Sequence, residues 1–163
     1  MKVSSAAIAT YRRLLEAWNR RDANAFASLF AADAHVVGFD GSQMDGRDTI
    51  QSELGAIFAH HQTAAYVAKV REISQLDPKV TVLRAVVGMV PPGKDEIKPD
   101  VNAIQSLVFV QTGERLEIAF LQNTPAAFHG RPQLVEQLTV ELADVLRSGV
   151  LVAANPVRTP PHE

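Results

Sequence analysis

Apolar positions recur at spacings of three and four through Ile8, Tyr11, Leu15 and Trp18, the pattern of one helix face. Arg12, Arg13, Glu16, Asn19 and Arg20 fall on the other face. A first helix is expected from a cap at Ser4 or Ser5 to about Arg20. Asp22 can cap a second helix, Asp22 to Ala31, whose apolar side is Phe26, Leu29 and Phe30. Ala34 to Phe39 reads as a strand, and Gln43-Met44 can pair with it across a tight Asp40-Gly41-Ser42 turn. Arg47 to His60 is a third helix that buries Ile50, Leu54, Ile57 and Phe58.

The period then changes. Thr63–Leu76, Lys79–Val90, Val101–Gln111 and Glu114–Gln122 read as four long strands, with short turns at Asp77-Pro78 and Thr112-Gly113. Pro91 to Asp100 cannot continue a ladder and forms an exposed hairpin loop. Pro132 suits the first turn of a last helix, striped by Val135, Leu138, Leu142 and Val145 and ended by Arg147 and Gly149. Helices first and antiparallel strands after give an α+β fold. The expected division is a domain over 1–130, an appended amphipathic helix over 131–148 and a flexible tail over 149–163.

Composition narrows the partners. The chain has 163 residues, 47% hydrophobic and 21% charged, with net charge −2. Its pI of about 6.2 points to neither nucleic acid nor an anionic membrane. Cysteine is absent, which removes disulfides, thiolate metal sites and a Cys nucleophile and fits a cytoplasmic protein. No secretory leader is expected at the N-terminus. No apolar segment reaches the roughly 20 residues that span a bilayer.

No phosphate loop, zinc motif or nucleophile elbow is present. Adjacent His60 and His61 diverge by about 100° on a helix, so neither a metal site nor a cofactor is expected. Chemistry must come from polar groups on apolar elements. Trp18 is either core filler or an aromatic wall for a flat ligand, with Phe39 beside it at the end of the first strand. Asp40 is either a turn residue or, if desolvated, a general base. His60 is a helix-end cation or a proton carrier. Asn102, Gln105, Ser106, Gln122 and Asn123 lie in otherwise apolar strands, where an unpartnered amide costs roughly 1–3 kcal/mol. They either pair within the sheet or line a pocket. Alternation separates Gln122 from Asn123, and Gln122 is the one expected inside, with Leu116 and Ile118. It also separates Asn102 and Ser106 from Gln105, with the inner face left open.

Trp18-Asn19, Asp22, Phe26 and Leu29 to Ala34 resemble the opening of the SnoaL-like, or nuclear-transport-factor-2-like, superfamily, and Gly46 to Ile50 its third-helix entry. Asn102-Ala103-Ile104-Gln105 and Gln122-Asn123-Thr124-Pro125 resemble its SgcJ/EcaC subgroup. The resemblance implies a curved mixed or antiparallel sheet wrapped as a cone around the N-terminal helices, and a homodimer. It implies no ketosteroid isomerase activity: the positions matching that branch's Tyr and two Asp residues are Leu14, Gly38 and Ser106. Nothing in the chain supports the oxidoreductase label the subgroup often carries.

Two functions follow from this reading. One is a cofactor-independent enzyme moving a proton on a small, apolar, carbonyl-bearing and polyketide-like molecule, with Asp40 or His60 as base and Gln122 and Asn102 steadying an oxyanion. The other is a non-catalytic homodimeric binding or accessory protein, since amides bind well but cannot act as acid or base at neutral pH. An interior without ionisable groups favours the second.

Overall fold

The computed structural model describes residues 3–154. Helix α1 (Val3–Asn19) buries Tyr11, Leu14 and Leu15 and leaves its arginines outside. It already includes Ser4 and Ser5, so neither is its cap. Asp22 does cap α2 (Ala23–Ala27), accepting from the Ala25 N–H. That helix stops four residues before the expected Ala31. Phe30 is wholly buried and pairs with Ile118, so strand β1 (Phe30–Val37) starts early. A tertiary partner outweighs the local helix preference there. Strand β2 (Gln43–Asp45) folds back on β1, and α3 (Arg47–His60) follows with Ile50 and Leu54 buried.

Strands β3 (Ala65–Asp77), β4 (Val80–Val90), β5 (Ala103–Thr112) and β6 (Arg115–Pro125) form an antiparallel run, and a short 3-10 turn (Pro99–Val101) closes the long loop before β5. β1 joins β6 in parallel, which makes the sheet mixed. The described residues end in α4 (Pro132–Arg147) and a short strand β7 (Val152–Ala154). The seven strands lie in the order β2-β1-β6-β5-β4-β3-β7, a curved sheet that does not close. Part of the stretch expected as tail is therefore strand: Val152–Ala154 runs parallel to Ala68–Val70 of β3. The rest of that tail, 155–163, lies outside the described residues.

The concave face holds the main core, in which Tyr11 and Leu14 of α1 meet Leu83, Leu107, Phe109 and Ile118 of the sheet. The convex face is covered at one end by α4, whose Leu138, Leu142 and Val145 pack on Val67, Val86 and Ile97. Gly88 lets the helix approach: a Cβ there would stand 3.1 Å from both Ile97 and Leu142. Asn102 staples the contact, donating to the Thr139 hydroxyl at 2.9 Å. Arg71 and Lys69 of β3 both grip Glu141 of α4. The terminal helix thus lies on its own sheet.

Candidate functional site

A cavity of about 310 Å³ opens between α1, α3 and the concave sheet face. Its walls are apolar and aromatic: Leu14, Trp18 and Phe26 from the first two helices, Leu54 and Ile57 from α3, and Phe39, Met44, Tyr66 and Leu121 from the sheet and its turn. Trp18 anchors one wall. Its indole N–H donates to the Ala64 carbonyl at 2.9 Å, and its ring meets Phe58 and Tyr66 edge-on at 5.2 and 5.5 Å. The next residue, Asn19, holds Tyr66 by the backbone. It accepts from the Tyr66 N–H at 2.8 Å and donates to its carbonyl at 3.0 Å. Asn19 thereby acts as a strand partner for the free edge of β3 before β7 takes over.

The floor carries a directed chain of hydrogen bonds. The buried Tyr11 hydroxyl donates to Gln105 Oε1 at 2.5 Å, Gln105 Nε2 donates to Asn123 Oδ1 at 2.9 Å, and Asn123 Nδ2 donates to the Val37 carbonyl at 3.0 Å. A backbone carbonyl only accepts, so Val37 fixes which way Asn123 faces, and through it Gln105 and Tyr11. Gln105 and Asn123 are direct partners across β5 and β6. Burial raises both tyrosines: Tyr66 to about 12, and Tyr11 well above its ordinary value with Tyr66 adding to the effect. Both are therefore neutral donors at physiological pH.

Asp40 stands at the exposed mouth. Its Oδ1 accepts the Ser42 N–H at 2.9 Å, and that bond above all holds the carboxyl below its ordinary range. The little desolvation it feels is outweighed by the Ser42 hydrogen bonds, so nothing raises it toward a base at neutral pH. His60 ends α3 as an exposed residue and does not line the cavity.

Of the strand amides, Gln105 and Asn123 reach the cavity. Gln122, expected inside, is exposed on the convex face. The cause is a bulge at Ala119: Ile118 pairs with Phe109 but Phe120 with Val108, so the inward set passes from Ile118 to Leu121 and then Asn123. Ser106 also lies outside, in a row with Arg84 and Gln122. Asn102 is 2% exposed and serves α4 instead, its Oδ1 buried without a partner among the described residues. From sequence Tyr11 reads only as helix core and Asn19 only as part of the family motif, and Tyr66 is not singled out; none of the three is expected at the site. Tyr66 starts the inward alternation Tyr66, Ala68, Val70, and a hydroxyl on such an apolar face was the available signal.

A model of the SnoaL-like domain matches residues 11–114. The chain belongs to the SnoaL-like domain family. No curated protein matches it in sequence. A cystatin-like domain of unknown function from Nostoc punctiforme is 21% identical, covers 91% of this chain and 94% of its own, and has a TM-score of 0.74. An NTF-2 like protein of unknown function from Shewanella oneidensis is 13% identical, over 76% and 99% of the two chains, with a TM-score of 0.64. A ketosteroid isomerase-like protein from Erwinia carotovora is 14% identical, over 75% and 95%, with a TM-score of 0.59. At these identities the likeness is one of fold. The SnoaL-like match takes in Trp18, Tyr66 and Gln105, whereas Asn123 and α4 lie beyond it.

Proposed function

We propose that this SnoaL-like protein binds a small, largely apolar, carbonyl-bearing molecule in the concave cavity and does so without catalysis. The observation that carries this reading is the kind of polar group inside. Tyr66, Gln105 and Asn123 are neutral donors and acceptors, while Asp40, the one carboxylate of the lining among the described residues, sits in solvent with its pKa lowered. Such a set orients a ligand but offers no base matched to neutral pH. At about 310 Å³ the cavity falls at the lower end of ordinary ligand pockets, about 300–1,000 Å³. That suits a one- or two-ring molecule; the polyketide-like character is what the family resemblance implies.

The protein is proposed to work as a cytoplasmic homodimer of the SgcJ/EcaC type. Val82, Val108 and Phe120 stand in register across the convex face, partly exposed and outside the area covered by α4. This row offers a second copy an apolar contact. The absence of cysteine fits a reducing compartment, and no helix among the described residues is long and apolar enough to cross a membrane.

Native mass spectrometry of the protein purified from its own cells tests the reading. The expected result is a retained small molecule, lost when Gln105→Leu and Tyr66→Phe are combined. Turnover of the released molecule, lost in Asp40→Asn, would instead establish the proton-transfer enzyme with Asp40 as base.

A further inference from the structure

The inference here rests on the ligand-binding reading above and concerns the charge of what binds. The polar groups of the cavity are sorted by depth. On the floor, Gln105 and Asn123 each spend one N–H on the chain from Tyr11 to Val37. Each keeps a second N–H, and the Tyr66 hydroxyl makes no hydrogen bond among the described residues. The two amide oxygens already accept. The N–H groups left over, and the Tyr66 hydroxyl, are free to meet an acceptor atom of a ligand.

The mouth has the opposite character. Among the described residues, Asp40 is the only charged one in the lining, and no Lys, Arg or His joins it there. Asp40 takes part in no ion pair among the described residues. Between floor and mouth, Trp18, Phe26, Phe39 and Tyr66 supply aromatic rings, which tolerate or attract a cation. An anion could accept from the floor donors, but it finds no cation in the lining and near Asp40 it is repelled.

We propose that the cavity selects a small ring-bearing cation: an acceptor oxygen enters first, toward Tyr66, Gln105 and Asn123, and an ammonium group stays at the mouth against Asp40. Carboxylates of the same shape are excluded.

Three probes of one shape test this on the full chain: 4-(aminomethyl)acetophenone, acetophenone and 4-acetylbenzoate. Trp18 is the only tryptophan and lies in the cavity wall, so its indole N–H signal in a nitrogen-15 correlation spectrum reports occupancy of this site. The amine is expected to bind about two-fold tighter than acetophenone, the size of an exposed charge pair, with the advantage shrinking in high salt. The acid is expected to give no saturable shift. Asp40→Asn keeps an oxygen for the Ser42 N–H, and should bring the amine to acetophenone's affinity while leaving acetophenone unchanged. Tyr66→Phe should weaken both ketones. If the acid binds as well as the amine, or the amine's advantage survives Asp40→Asn, the charge rule is wrong while the cavity remains a binding site. If none of the probes moves the Trp18 signal, the binding reading falls and this proposal falls with it.

Discussion

Tyr11 and Tyr66 are the chain's only tyrosines, and both are buried, Tyr66 along the cavity wall and Tyr11 behind Gln105. A free tyrosine ionises near about 10, but burial holds Tyr66 at about 12 and Tyr11 well above its ordinary value. Raised values mean that the folded state keeps its protons longer than the unfolded one. The stabilisation is full below the ordinary tyrosine pKa and is lost as pH rises through the folded values. An alkaline titration followed by tyrosinate absorbance should therefore show no step near pH 10 while the fold persists, and an abrupt release of both phenolates on unfolding. A step worth one tyrosine near pH 10 would mean that Tyr66 is solvated and the cavity wider than described.

At the level of elements, α4 is held by a buried apolar stripe and a charged clasp. Hydrogen bonding from Arg71 comes first, and from Lys69 next, in lowering the Glu141 pKa. A depressed carboxylate contributes stability above its unfolded pKa and loses it as pH falls through the folded value. Acidification below about 4.3, the free glutamate value, should loosen α4 before the main core. Amide exchange over Pro132–Arg147 would show it as lower protection at pH 3 than at pH 6, corrected for the pH dependence of free amides and relative to β4 and β5. Glu141→Gln should cost about 1 kcal/mol at pH 7, as a partly exposed pair does, and should flatten that acid dependence. Equal acid sensitivity in the variant would show that the clasp does not hold the helix. Asn102 belongs to this same joint. As a sequence it reads equally as a pocket amide, because nothing local says that a helix thirty residues later will cover its face.

For the molecule as a whole, the sheet has one face committed to the cavity and another that, among the described residues, α4 covers only in part. If the row Val82, Val108 and Phe120 meets a second copy, Phe120→Lys should convert a dimer to a monomer in light scattering, with circular dichroism unchanged. A dimer that survives this substitution would move the contact elsewhere. Truncation after Gly130 is a different test. Because α4 lies on its own sheet, its removal exposes Val67, Val86 and Ile97 and is expected to lower solubility whatever the oligomeric state.

The order of helices and strands, the cap at Asp22, the third helix and the antiparallel run from β3 to β6 were legible in the sequence, because each depends on neighbours within a turn or a pleat. The aromatic residue at Trp18 and the inward–outward split of β5 were legible for the same reason, although not which side faced the core. The bulge at Ala119 decided that Asn123 rather than Gln122 reaches the cavity, since one added residue reverses every later side chain of a strand. The pairing of Phe30 with Ile118 moved the start of β1, and the return of the chain along β3 made a strand of Val152–Ala154. The Tyr11–Gln105–Asn123 chain joins residues 94 and 18 positions apart. Such contacts are set by which faces the fold brings together, a choice that local periodicity does not encode.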